Sequence, residues 1–138
     1  MWVFCRNWFY QFFWESNLEF RTSNFEKRRI LCNERGDTLV GRVVVADRMW
    51  TRMKGLLGYR RAPCNTAMVI RPCNQVHTFF MRFSIGVVFL DSEGVVLGKE
   101  LLHPWRVSSR VKEACAVVEV APSVMEMMEI GAKLIITE

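Results

Sequence analysis

The sequence predicts a mainly β protein, a compact β-sandwich or barrel-like single domain with two short helices at about 47–57 and 123–130. Three observations carry that reading. Short runs of β-branched and aliphatic residues recur between turn residues from Ile30 to the end of the chain. A length of 138 residues allows one ordinary core and is too short for two. No internal repeat occurs, and strand-like and helix-like segments do not alternate as βαβ units would require.

The first boundary is compositional. Ten of the seventeen aromatic residues fall within residues 1–25, after which the texture changes to alternating aliphatics. Residues 1–29 are therefore expected to be a poorly ordered extension, and 30–138 the single β-rich domain. An early Arg6 and an apolar stretch from Trp8 to Trp14 loosely resemble an export signal, but the stretch is aromatic and no small-x-small cleavage site follows. The alternatives are a leader without a structural role and an interfacial anchor. Asn7, Gln11, Glu15 and Asn17 interrupt the apolar face an anchor would need.

From Ile30 the elements follow in order. Leu39, Val43 and Val45 lie in one or two strands next to a turn at Arg35-Gly36-Asp37. Asp47 suits a helix N-cap, and Met49, Met53, Leu56 and Leu57 follow at helical spacing until Gly58. Beyond the breakers Pro63 and Asn65, strands are expected at 68–71, 76–81 and 85–90. Asp91-Ser92-Glu93-Gly94 then makes a hairpin turn into Val95-Val96-Leu97. A further strand covers 114–120. Ser123 with Glu126 forms a capping-box pattern for the second helix, Gly131 closes it, and residues 134–137 form the last strand.

Composition narrows the classes of function. The chain is 51% apolar and 24% charged, as in globular proteins, and contains no run of about 18 apolar residues that could cross a bilayer. No transmembrane segment is expected, and residues 1–20 remain the one candidate for peripheral membrane contact. The net charge of +5 is spread along the chain among acidic residues, so it is a weak pointer to anionic partners. Five cysteines include no C-x-x-C pair, which speaks against a structural zinc site and a disulfide framework; reduced, mostly buried thiols are expected.

The densest stretch runs from Arg71 to Phe83 as RPCNQVHTFFMRF, followed by VVFLDSEG at 87–94 and Pro104-Trp105-Arg106, with WTRMKGLLG upstream at 50–58. In this order the motifs resemble the bacterial and archaeal family known as domain of unknown function 192, over about residues 37–138. The resemblance implies a single mainly β domain, sometimes behind an export signal, with no established activity. The family pattern usually has Pro and Asp in the strand after the His motif, where this chain has Ser84 and Gly86, and Gly-Asp where it has Gly131-Ala132.

If 76–81 is a strand, His77, Phe79 and Met81 share one face and Val76, Thr78 and Phe80 the other. His77 beside two large apolar groups would be a neutral imidazole, either a pocket residue or a structural one stabilising the bend at Asn74-Gln75. Arg71, Arg82 and Arg106 carry forked donors suited to a carboxylate or phosphate if they converge on His77, and Trp105 would supply a flat wall. The candidate ligand-binding residues are therefore His77, Phe79, Met81, Arg71, Arg82, Trp105 and Arg106.

The leading expectation is a non-catalytic domain that binds a small ligand or a protein partner, with no cofactor, no metal and no catalytic residue assigned. One alternative is a hydrolase-like thiol enzyme using Cys73 and His77, though no orienting acid stands at position 86. A metal site on His77 and His103 lacks clustered acids. A weak nucleic-acid or anionic-surface binder would use Arg48, Arg52, Lys54, Arg60 and Arg61, but no recognition motif accompanies them. A cytoplasmic location is slightly favoured over the envelope.

Overall fold

The computed structural model describes residues 29–46 and 61–137. At the start of the domain, Asn33 Oδ1 accepts the amides of Arg35 at 3.0 Å and Asp37 at 2.9 Å, while its Nδ2 donates to the Asp37 carboxylate. This side-chain turn folds β1 (Ile30–Asn33) back against β2 (Thr38–Val40). The last strand, β8 (Leu134–Thr137), pairs antiparallel with the other edge of β1, giving a three-stranded sheet in the order β2-β1-β8. The two ends of the described domain thus meet in one sheet.

The second sheet has five strands. β3 (Arg42–Ala46) pairs in parallel with β4 (Thr66–Ile70), from Arg42 opposite Thr66 to Ala46 opposite Ile70. A parallel pair needs a crossover connection, so the reading against βαβ-like units is corrected at this one place. The helix expected over 47–57 falls in that connection, outside the described residues. β5 (Ile85–Leu90), β6 (Val96–Leu102) and β7 (Ala116–Val120) complete the sheet in the order β3-β4-β7-β5-β6, antiparallel throughout after the first pair.

The β5–β6 hairpin closes as its residues predict. Asp91 Oδ1 accepts the amides of Glu93 at 2.8 Å and Val95 at 2.9 Å, and Gly94 donates to the Asp91 carbonyl. Gly94 has φ +85°, and a Cβ there would lie 2.8 Å from the Leu134 carbonyl oxygen. Both the backbone conformation and the close approach of β8 therefore call for glycine.

The second helix is shorter than its sequence signals suggest. α1 spans Pro122–Glu126, with Ala121 at the N-cap and no side-chain cap, so the capping box on Ser123 is not formed. Pro122 has the φ of a first helical residue and no amide to satisfy, which places the helix start one residue before Ser123. The chain leaves the helix at Met127 because Met128 turns into the core, where it is 1% exposed, and Gly131, with φ +87°, donates to Val96 O at 2.8 Å.

Both faces of the five-stranded sheet are covered. Leu31 and Val40 from the small sheet, Val69, Val88 and Val118 from the large one, Met125 in the helix and Met128 just after it form one apolar layer. On the opposite face Met68, Ile70, Val87, Phe89 and Val117 pack with Val76 and Met81 from the loop after β4. All six residues of β5 are consequently buried.

The protein is mainly β, as expected, but the sheets are open: β2, β8, β3 and β6 are edges among the described strands. The expected strand at 76–81 is absent. His77 makes one isolated bridge to Val107, and the chain then turns at Phe79 and Phe80. A loop, not a closing strand, covers that face of the sheet.

Candidate functional site

The loop that replaces the expected strand is held by Thr78, which is completely buried. Its hydroxyl donates to the His103 carbonyl at 2.6 Å and accepts the Arg106 amide at 3.0 Å. Its own amide donates to Arg106 O at 2.9 Å, and its carbonyl accepts the amides of Trp105 at 3.0 Å and Met81 at 3.1 Å. One residue, through its hydroxyl, amide and carbonyl, thereby joins the 76–81 segment to the turn that follows β6. Ser108 makes a second tie, its hydroxyl accepting the Val76 amide at 3.0 Å and its own amide donating to Val76 O. Gln75 Nε2 adds a bond to Ser108 O at 2.9 Å.

These ties shape an aromatic surface. His77 stacks on Phe79 with ring centroids 4.7 Å apart and planes at 23°. Phe79 lies 6.1 Å from Trp105, and Phe80 packs on Trp105 at 4.7 Å with planes tilted by 60°. Phe80 has φ 67° and Trp105 φ 61°, left-handed conformations that bulky residues avoid. The two rings are nevertheless presented to solvent, at 43% and 57% exposure.

Burial holds the His77 pKa below its ordinary value of 6.5, because the apolar surroundings disfavour the imidazolium. Nδ1 accepts the Phe79 amide at 3.3 Å, which in a neutral ring leaves the proton on Nε2. Burial and the Nδ1 bond both favour the neutral ring over the imidazolium.

The sequence-derived candidates divide. His77, Phe79 and Trp105 come together, and Arg106 adjoins them through its backbone bonds to Thr78. Met81, expected on the His77 face, is buried in the apolar layer beneath the loop instead. The alternation of faces failed because the turn at Phe79 and Phe80 breaks the strand period. Arg71 and Arg82 stand exposed before and after the loop. Cys73 donates its thiol proton to Gln75 O at 3.2 Å, and His103 pairs its Nδ1 with the Ser84 hydroxyl at 2.8 Å. Among the described residues no group of three or more His, Cys, Asp or Glu side chains is close enough to hold a metal.

Two features of this region were not foreseen. The first is Glu119, 8% exposed in the middle of β7 and the one buried charged side chain among the described residues. It pairs across the sheet with Met68 and Val87, whose other neighbour is Glu100, so two carboxylates flank Val87 on the face beneath the loop. Glu100 accepts the Ser109 amide at 2.9 Å. The signal available in the sequence was an acid inside a run, Ala116-Val117-Val118-Glu119-Val120, that is apolar on both faces. The second is Gly86, where a Cβ would lie 2.5 Å from Met125 Cβ. Position 86 thus faces the helix, on the side of the sheet away from His77, so an acid there could not orient the His77 ring.

No helix among the described residues is long and apolar enough to cross a membrane. The extension over residues 1–29, with the candidate membrane contact at 1–20, and the basic cluster from Arg48 to Arg60 lie outside the described residues except for Arg29; Arg61 is exposed.

Comparison with known proteins agrees with this architecture. A UPF0127 protein of Pyrococcus abyssi is 34% identical over 101 residues, covering 68% of this chain and 85% of its own length. A UPF0127 protein of Thermococcus sibiricus is 32% identical over 108 residues, covering 72% and 69%. Two crystal structures share the fold. One, a Sinorhizobium meliloti protein described as a proposed transcription regulator, has a TM-score of 0.62 at 17% identity and covers 78% of this chain and 91% of its own. The other, a protein of unknown function from Novosphingobium aromaticivorans, has a TM-score of 0.61 at 13% identity and covers 78% and 83%. At these identities the likeness speaks for the fold alone. The family model described as "Uncharacterized ACR, COG1430" matches residues 31–136, and with the archaeal relatives it shows that the chain belongs to the uncharacterised DUF192/UPF0127 family.

Proposed function

We propose that this protein is a non-catalytic binding domain whose site is the aromatic face formed by Phe80 and Trp105 beside His77 and Phe79. The observation that carries the reading is the pair of left-handed aromatic residues. Phe80 and Trp105 each occupy a backbone region that costs on the order of 1–3 kcal/mol for a side chain of this kind, yet about half of each side chain is open to solvent. Contact with a ligand would bury the part of each ring that solvent now reaches and so help offset that strain. Exposed Arg106, next to Trp105 in the chain and bonded through its backbone to Thr78, supplies charge beside the aromatic face, so the ligand class is one with a flat or extended apolar part and a carboxylate or phosphate.

The hydrogen bonds on His77 and Cys73 support binding over catalysis. His77 Nδ1, the lone pair a base would use, already accepts the Phe79 amide, and the Cys73 thiol is turned to Gln75 O, with no bond between the two side chains.

The test is a thermal-shift screen of the full chain against nucleotides, anionic metabolites, acidic peptides and cell-wall fragments, run in parallel with Trp105→Gly and Phe80→Gly. Glycine accepts positive φ, so each variant is expected to keep its unliganded stability within about 1 kcal/mol. A ligand that raises the melting temperature of the natural chain and has at least tenfold weaker affinity for Trp105→Gly supports the site. Equal stabilisation of the natural chain and both variants would rule it out.

A further inference from the structure

The amide of Cys73 donates to the carbonyl of Cys115 at 3.2 Å, which ties the start of the His77 loop to the segment entering β7. A single backbone N–H···O bond holds the Cα atoms of its two residues roughly 5–6.5 Å apart, within the roughly 4.4–6.8 Å that a disulfide spans. Their thiols are also accessible to different degrees. Cys115 is exposed, with Sγ 3.8 Å from Glu113 O, and Cys73 is half-buried, with Sγ on Gln75 O. Cys32, by contrast, is buried between the hydroxyls of Thr38 and Thr137 at 3.9 and 4.0 Å.

We propose that Cys73 and Cys115 are a modification site, a dithiol pair that closes to a reversible disulfide and clamps the His77 loop to β7. The oxidant class is a small-molecule disulfide such as oxidised glutathione. The Cys115 thiolate attacks one sulfur of that disulfide; its S–S bond breaks, one glutathione thiolate leaves, and a mixed disulfide forms on Cys115. Cys73, after giving up its proton, attacks Cys115 Sγ and expels the second glutathione. Two protein thiols are oxidised, one glutathione disulfide is reduced to two thiols, and those two thiols carry the protons lost from the cysteines. Cys115 enters first because it is the exposed member, and Cys73 resolves because the backbone bond holds it alongside. The proposal rests on this pairing alone and is independent of what the aromatic face binds.

The experiment treats the folded full chain with oxidised glutathione and follows it by intact mass and by mapping of the unreduced digest. Expected are a loss of about 2 Da, a single cross-linked peptide joining Cys73 to Cys115, and recovery of the starting mass with dithiothreitol. Cys73→Ser should trap a glutathione adduct on Cys115, since the resolving thiol is gone, and Cys64→Ser should leave the cross-link unchanged. A stable glutathione adduct on Cys115 in the natural chain would overturn the proposal. So would a cross-link from Cys115 to Cys5, Cys32 or Cys64, or an unreacted pair.

Discussion

At the scale of single residues, the candidate site depends on two side chains of unequal visibility. His77 stands out in the sequence because it is one of two histidines and sits in the densest motif. Thr78 looks like any β-branched strand residue, yet its hydroxyl, amide and carbonyl join the two loops. Thr78→Val is expected to destabilise the protein by about 1–3 kcal/mol, because the Arg106 amide and the His103 carbonyl lose their partner inside the protein, while Thr78→Ser should recover most of the loss; urea unfolding measures both. His77 makes a prediction in pH. Its folded pKa lies below 6.5, so the unfolded chain binds more protons as the pH falls through that region. The stability due to the neutral ring is fully present above about pH 6.5 and is lost as the pH drops toward the folded pKa. Urea midpoints between about pH 5 and 7.5 should rise with pH, and His77→Phe should flatten that slope. A slope unchanged in His77→Phe would assign the effect to other groups.

At the scale of elements, the strands with β-branched residues on both faces were legible. β5 and β7 lie where the runs Ile85-Gly86-Val87-Val88-Phe89-Leu90 and Ala116-Val117-Val118-Glu119-Val120 put them, and β8 starts and ends as expected. The 76–81 segment has the same apolar texture but is not a strand, because its backbone partners are turns around residues 103–108 and not a neighbouring strand. Composition records apolar character; it does not record where the hydrogen bonds go. The same limit applies at α1, where the Ser123 and Glu126 pattern was real but Pro122 set the start. Gly86 shows how an element contact explains a departure from the family pattern. Met125 Cβ occupies the space a side chain at 86 would need, and because it is a Cβ, no rotamer change clears it. Gly86→Ala should therefore cost about 1–3 kcal/mol, read from chemical denaturation, with Gly98→Ala as the control in open space. A Gly86→Ala variant as stable as the control would mean the helix shifts without cost.

At the scale of the whole molecule, the five-stranded sheet is covered on one face by the small sheet and helix and on the other by loops. The first face is closed by packing of strands and Met128, the second by Val76 and Met81 from a loop that Thr78 and Ser108 anchor through hydrogen bonds. Met128→Ala should cost about 2–5 kcal/mol, since a fully buried side chain at the junction of both sheets leaves a cavity. Native-state hydrogen exchange should show the Val88 and Val118 amides opening only with global unfolding, and the 103–112 loop exchanging by smaller local openings. Uniform protection across both regions would contradict this division.

The sequence by itself determined the mainly β class, the limits of β5 and β8, the hairpin turn at Asp91 and the lowered pKa of His77. Each of these follows from local rules: β-branched residues on a pleat, an Asp side chain capping its own turn, an imidazole beside apolar neighbours. Only the tertiary structure decided that β3 and β4 run parallel, that Met81 leaves the His77 face, that Phe80 and Trp105 meet, and that Cys73 lies against Cys115. Those facts depend on residues about 25 to 40 positions apart sharing hydrogen bonds and contacts. Such pairings are chosen by the energy of the assembled core and leave no periodic trace in the chain.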